Sequence, residues 1–126
     1  MFTDIKGLVV RVNGVVTNIV YGGEQISFDA TIANISAYTI WIRCEIRLSS
    51  PTTTVYVGNN VEYTPGQQKV IPGNFTYVFS KDMTMTAVTY YRYLGVEYGP
   101  EDSYSVSLDY MTPSFSNIVI TSFAKA

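Results

Sequence analysis

Ile40, Ile42, Cys44, Ile46 and Leu48 recur at every second position, and Trp41, Arg43, Glu45 and Arg47 fill the places between them. Successive side chains of a β-strand point to opposite faces, so this alternation predicts a strand over 38–48 with an apolar inner face and a charged outer one. Burying each inner side chain is worth roughly 1.5–3 kcal/mol, and a slip of one residue would bury two arginines and a glutamate. The pattern therefore fixes the register as well as the element.

The same reading extends along the chain. Residues 5–12 and 15–21 are apolar and β-branched and are separated by Asn13-Gly14. That pair suits the positive φ angles of a type I′ turn, which predicts a first hairpin. After Gly22-Gly23, residues Ile26, Phe28, Ala30 and Ile32 alternate with polar or small ones, and Asn34-Ile35-Ser36 turns the chain into the 38–48 strand. A short strand follows over 53–57, then turns at Gly58-Asn59-Asn60 and Thr64-Pro65-Gly66, where Gly66 suits a type II turn. Residues 69–72 read as a proline-ended edge segment. Residues 74–80 alternate again. The stretch 83–94 predicts a second long strand, and because residues 86–93 are nearly all β-branched or aromatic, one covered face and two are both open. Gly99-Pro100 and three acids mark 97–102 as an exposed turn, 104–110 alternates cleanly, and 118–123 follows Pro113 as a last strand.

No apolar pattern at i, i+3, i+4, i+7 persists for three turns, so no helix is expected. Short strands punctuated by turns predict an all-β fold, a single antiparallel β-sandwich of about 7–9 strands spanning 1–126 as one domain.

Composition narrows the function. A net charge of −2 and eight scattered Lys and Arg give no basic footprint, so nucleic acid is not an expected partner. No run approaches ~18 apolar residues, and the start M-F-T-D-I-K lacks the basic and apolar segments of a secretory signal; no membrane span is expected, and a virion or a host cytoplasm are both open as locations. Cys44 is the sole cysteine and falls on the apolar face of its strand, where it reads as a small buried hydrophobe rather than a nucleophile.

The chain has no histidine, which removes Ser-His-Asp and Cys-His nucleophiles and histidine metal sites. Glu97, Glu101 and Asp102 are the remaining candidates for a glycosidase-like carboxylate pair or an oxygen-rich Ca²⁺ site, although acids in such a loop are more often simply solvated. Gly22-Gly23 lies between strands and is not a phosphate cradle. The reading assigns no catalytic, cofactor-binding or metal-ligating residue. Asn34-Ile-Ser36 and Asn74-Phe-Thr76 match the N-glycosylation acceptor pattern and fall at expected turns.

Aromatic residues carry more information. Tyr90, Tyr91, Tyr93, Tyr98, Tyr104 and Tyr110 crowd into the last third. If Thr89, Tyr91 and Tyr93 share one face, Tyr90, Arg92 and Leu94 share the other, so one tyrosine set points outward. Tyrosine gives rigid contact area with a polar tip and suits interfaces, but it also packs in cross-strand pairs. The candidate contact surface is Trp41, Arg43, Arg47, Tyr90, Arg92, Tyr98 and Tyr104, with Arg–Trp cation–π pairing as an internal alternative.

Three stretches, Y-G-G-E-Q-I-S-F-D-A-T-I-A-N-I-S-A-Y-T-I-W-I-R, P-G-Q-Q-K-V-I-P-G-N-F-T-Y-V-F and Y-Y-R-Y-L-G-V-E-Y-G-P-E-D-S-Y-S-V-S-L-D-Y, resemble the B–C, D–E and F–G regions of immunoglobulin-like modules on archaeal and bacterial surface proteins. The antibody-type cysteine pair is absent, and Trp41 falls on the charged face, where an antibody-type tryptophan points inward. In its cysteine-poor, Tyr/Thr/Val-rich style the chain also resembles proteins of hyperthermophilic archaeal viruses, the Pyrobaculum spherical virus in particular. That resemblance implies a structural or virus–host interaction role. The expectation is a non-enzymatic module acting on a protein partner or a second copy of itself through exposed Tyr, Trp and Arg; the alternative is a carbohydrate-binding module whose aromatics stack on sugars.

Overall fold

The alternation is realised as eleven strands in the computed structural model, which describes residues 1–112. They are β1 (Thr3–Val12), β2 (Val15–Val16), β3 (Ile19–Val20), β4 (Gly23–Asn34), β5 (Ile40–Ser49), β6 (Thr53–Val57), β7 (Val61–Tyr63), β8 (Gln68–Val78), β9 (Met83–Tyr93), β10 (Val96–Tyr98) and β11 (Ser103–Tyr110). No helix occurs among the described residues. The strand expected over 118–123 lies outside them.

One sheet has the order β2-β1-β4-β8; the other runs β3-β11-β9-β5-β6, with β10 also on β9 and β7 also on β5. A strand has only two edges, so β10 continues the line of β11 and β7 that of β6. The orders β1-β4-β8 and β11-β9-β5-β6 are the A-B-E and G-F-C-C′ orders of the immunoglobulin-like sandwich. Among the described residues all pairs are antiparallel but one: β3 runs parallel to β11.

That exception corrects the expected strand over 15–21. The Asn13-Gly14 turn forms with both φ angles positive (50° and 85°), but β2 pairs with β1 for two residues only. The chain then crosses to the second sheet. Asn18 pins the crossing, its Nδ2 donating to the Ser107 carbonyl (3.0 Å) and its own carbonyl accepting from the Asp109 N–H (2.8 Å).

The core lies where the inner faces meet. Ile40, Ile42, Cys44, Ile46 and Leu48 of β5 are all essentially inaccessible, as their spacing predicts, and they face Ile26, Phe28, Ala30 and Ile32 of β4. In β1 a bulge between Ile5 and Gly7 changes parity, so Ile5 is followed inward by Leu8, Val10 and Val12.

Pro72 does not end a segment as expected. β8 runs through it, because β8 is an edge strand with one free side, where a residue lacking an N–H can sit without breaking the ladder. The next residue, Gly73, must be glycine for space: a Cβ there would lie 2.4 Å from Phe28 Cζ and 2.8 Å from Tyr56 Cε1. Those two rings meet edge to face at 5.0 Å and close the sandwich at its β6–β8 corner.

Tyr63 is wholly buried, and its hydroxyl has no hydrogen-bond partner. Burial, with Cys44 nearby, pushes the phenol up to about 12. An unpaired buried hydroxyl costs about 1–3 kcal/mol, so Tyr63→Phe should raise stability by roughly 1 kcal/mol. A higher urea midpoint at constant m-value is the expected result; a lower midpoint would mean that the hydroxyl is satisfied in solution.

Candidate functional site

Residues directly opposite in a ladder share a face, so the register assembles the outer surface of the second sheet. Trp41 lies opposite Arg92, Arg43 opposite Tyr90, Glu45 opposite Val88 and Arg47 opposite Thr86. On the flanks Glu62 of β7 lies opposite Trp41, Glu97 of β10 opposite Arg92, and Ser103, Ser105 and Ser107 of β11 opposite Val88, Thr86 and Thr84. Five candidates from the sequence (Trp41, Arg43, Arg47, Tyr90 and Arg92) are thus brought together on one face.

The middle of this face is an ion-pair network. Arg43 Nη1 lies 2.5 Å from Glu45 Oε2, its Nε 2.6 Å from Glu97 Oε1, and its guanidinium carbon 4.1 Å from the Tyr90 ring centroid. Arg47 Nη2 contacts Glu45 Oε1 at 3.3 Å and donates to the Tyr90 hydroxyl at 2.5 Å. These side chains roof Val88, an outward residue that is nonetheless buried. Arg43 therefore stacks on a tyrosine and not on Trp41, which is 39% exposed at the head of the face. Arg92 spends one guanidinium nitrogen on the Gly95 carbonyl (3.1 Å).

Burial alone would raise the Glu45 carboxyl, but Arg43 and Arg47 outweigh it and hold the group below its ordinary value. Burial would likewise lower Arg43, and Glu45 and Glu97 raise it above its usual value. A carboxyl depressed in the folded state contributes stability that is complete above its unfolded pKa, roughly 4.3, and is lost as pH falls through the folded value. The urea midpoint should fall on acidification from pH 7 into that range, and it should fall less in Glu45→Gln. An identical drop in both proteins would remove Glu45 from the account.

Cys44 is inaccessible on the opposite face of β5, and burial, then Glu45, pushes its thiol up to about 12, which suits a core residue.

Tyr98 and Tyr104 do not join the surface. They lie opposite Tyr91 and Ala87, which are inner-face positions of β9. Tyr98 belongs to a stack at one end of the sandwich: Tyr38 and Phe2 at 6.2 Å, Phe2 and Tyr91 at 4.6 Å, and Tyr91 and Tyr98 at 5.1 Å, all within 21° of parallel. Stacking covers the faces of Phe2 and Tyr91, while the outer rings, Tyr38 and Tyr98, stay 50% and 44% exposed at that end of the sandwich. Phe2 carried no signal in the sequence, because only the return of β1 beside β9 places it there.

The 97–102 acids are not a solvated turn. Glu97 is in β10 and binds Arg43. Glu101 accepts from the Phe2 N–H (3.0 Å), the Thr3 N–H (2.6 Å) and the Thr3 hydroxyl (2.5 Å), and Asp102 accepts from the Ile5 N–H (2.7 Å). The last two carboxylates therefore anchor the start of β1.

The two glycosylation patterns also change meaning. Asn34 is fully buried at the end of β4, and its amide bonds the chain on both sides, so it cannot present itself as an acceptor. Asn74 is exposed but sits within β8 and not in a turn.

Known proteins share this fold at low identity. No family model and no curated protein sequence matches the chain. Among solved structures, it is similar to the C-terminal domain of Wzt (TM-score 0.65, 13% identity, covering 89% of this chain and 75% of that one). It is similar also to a putative β-galactosidase from Bacteroides fragilis (TM-score 0.60, 9% identity, 85% of this chain) and a β-glucosidase from Listeria innocua in complex with isofagomine (TM-score 0.51, 12% identity, 82% of this chain). The chain spans only 17% and 16% of those two proteins. Likeness at these identities concerns the fold.

Proposed function

We propose that this chain is a non-catalytic carbohydrate-binding β-sandwich, with the outer face of β5, β9 and β11 as its site and Trp41 as the stacking platform. The observation that carries the reading is the position of Trp41: exposed, held on a rigid strand, and standing at the head of a pre-bonded polar surface. The apolar C–H face of a pyranose can rest on an indole while its hydroxyls meet polar side chains beside it. The presence of this fold as a small part of a putative β-galactosidase and of a β-glucosidase fits a module that accompanies sugar chemistry without performing it.

Protein contact, the role expected from the sequence, called on outward Tyr, Trp and Arg or on an exposed sheet edge. Tyr98 lies in the ring stack, and Tyr90 lies beneath Arg43 with its hydroxyl accepting from Arg47, which leaves Trp41 as the principal free ring of the face.

Affinity electrophoresis through gels containing neutral polysaccharides tests the proposal. The chain should be retarded by at least one polymer. Trp41→Ala removes a stacking contact worth about 1.5–3 kcal/mol, so retardation should fall by roughly tenfold or more while the circular dichroism spectrum is kept. Retardation equal in both proteins would place any sugar site elsewhere.

A further inference from the structure

We infer that the ligand is an uncharged, linear glycan chain bound along its length, and not an acidic glycan or a chain terminus. This inference rests on the carbohydrate reading of the same face and names its substrate class.

The charge pattern is the first argument. Arg43, Arg47 and Arg92 face Glu45, Glu62 and Glu97, and Asp109 adds an acid at the far end of β11, so the face has no cationic excess. The two central guanidiniums, which would otherwise clamp a uronate, sulfate or phosphate, are already occupied by Glu45, Glu97 and the Tyr90 hydroxyl. Arginine recognises an oxyanion through its planar fork of N–H donors; Arg43 already spends Nη1 and Nε, and Arg47 its Nη2, on groups of the face, and the carboxylates beside them repel an incoming anion.

Shape is the second argument. Below Trp41 the surface continues along β9 and β11 as a strip of hydroxyls, with Thr84, Ser103, Ser105 and Ser107 exposed and Thr86 bonded to Ser105 at 2.8 Å. Hydroxyls both donate and accept, as sugar hydroxyls do, and they suit neutral partners. From Trp41 to Ser49 the strand rises about 3.3 Å per residue, so the strip is roughly 27 Å long. Among the described residues the two sheets are the only layers, so no third layer lies over it. An open strip reads the middle of a polymer, where a closed pocket reads its end.

The test compares neutral polymers (a mannan, a galactan and a mixed-linkage glucan) with acidic ones (alginate and polygalacturonate), using the whole chain. The wild type should bind at least one neutral polymer, with affinity rising over tenfold from its monosaccharide to longer oligomers. Binding should change by less than about twofold between low and roughly 0.5 M salt, because no ion pair forms with the ligand. Glu97→Gln frees one side of Arg43 and Glu62→Gln removes the exposed acid beside Trp41. Either should gain measurable, salt-sensitive retention by alginate, and the second touches none of the central network if the first misfolds. Binding of acidic polymers by the wild type with steep salt dependence overturns the inference and leaves the carbohydrate reading standing. Affinity independent of chain length overturns it too. No retention by any polymer overturns both.

Discussion

Replacing Asn34 with leucine should cost the protein about 3–5 kcal/mol, a large share of the roughly 5–15 kcal/mol that holds a domain together. The Asn34 amide nitrogen donates toward the carbonyls of Tyr38 (2.7 Å), Tyr63 (3.1 Å) and Thr64 (3.2 Å), and its oxygen accepts from the Ser36 N–H (2.9 Å) and hydroxyl (2.7 Å). Its main chain adds bonds to Gln67 and Gly66. One buried side chain thus ties the end of β4, the turn into β5 and the β7–β8 turn. Leucine matches its size but leaves those carbonyls without donors, and aspartate would set a charge against them. Urea titration followed by far-UV circular dichroism should show the midpoint falling by half or more, while Asn74→Leu, on an exposed edge position, should hardly move it. A loss below about 1 kcal/mol for Asn34→Leu would mean that water replaces the amide without cost.

Glu101→Gln should cost about 2–3 kcal/mol, because the bonds it accepts are charge-assisted and their donors are partly or fully buried. Glutamine can keep one acceptor oxygen for the Thr3 N–H and hydroxyl, but it then turns an NH₂ toward the Phe2 N–H, so donor meets donor there. The start of β1 should then open locally, and amide exchange at Thr3 and Ile5 should speed up by at least tenfold relative to β5. Unchanged protection there would show that Asp102 and the Thr3–Thr89 hydroxyl contact (2.8 Å) suffice without Glu101.

Glu101 also illustrates what the sequence conceals. Its partners are 98 and 99 residues away, and nothing local distinguishes a carboxylate that anchors a strand from one that is solvated. The inner faces of β4 and β5 were legible, because a period of two with one buried face admits one register. The immunoglobulin-like order was legible in outline from the spacing of strands and turns. β7 and β10 were not: each is three residues long, and the β9–β10 turn uses Leu94 at φ 51° where sequence signals call for Asn or Asp. The site was half legible. Alternation put Trp41, Arg43 and Arg47 together, and parity added Tyr90 and Arg92 from β9. Tyr98 was misplaced because a turn resets parity between β9 and β10, and the part played by Glu97 depends on that same hairpin.

The outward setting of Trp41 has a spectroscopic consequence. It is the sole tryptophan, so every photon emitted above the tyrosine band comes from the proposed binding face and none from the core. A bound sugar that displaces water from the indole should shift its emission to shorter wavelength, which gives a label-free titration. Unfolding should move the emission the other way: the indole is 39% exposed in the fold and gains water contact as β5 melts, so a shift to longer wavelength reports denaturation and a shift to shorter wavelength reports the ligand.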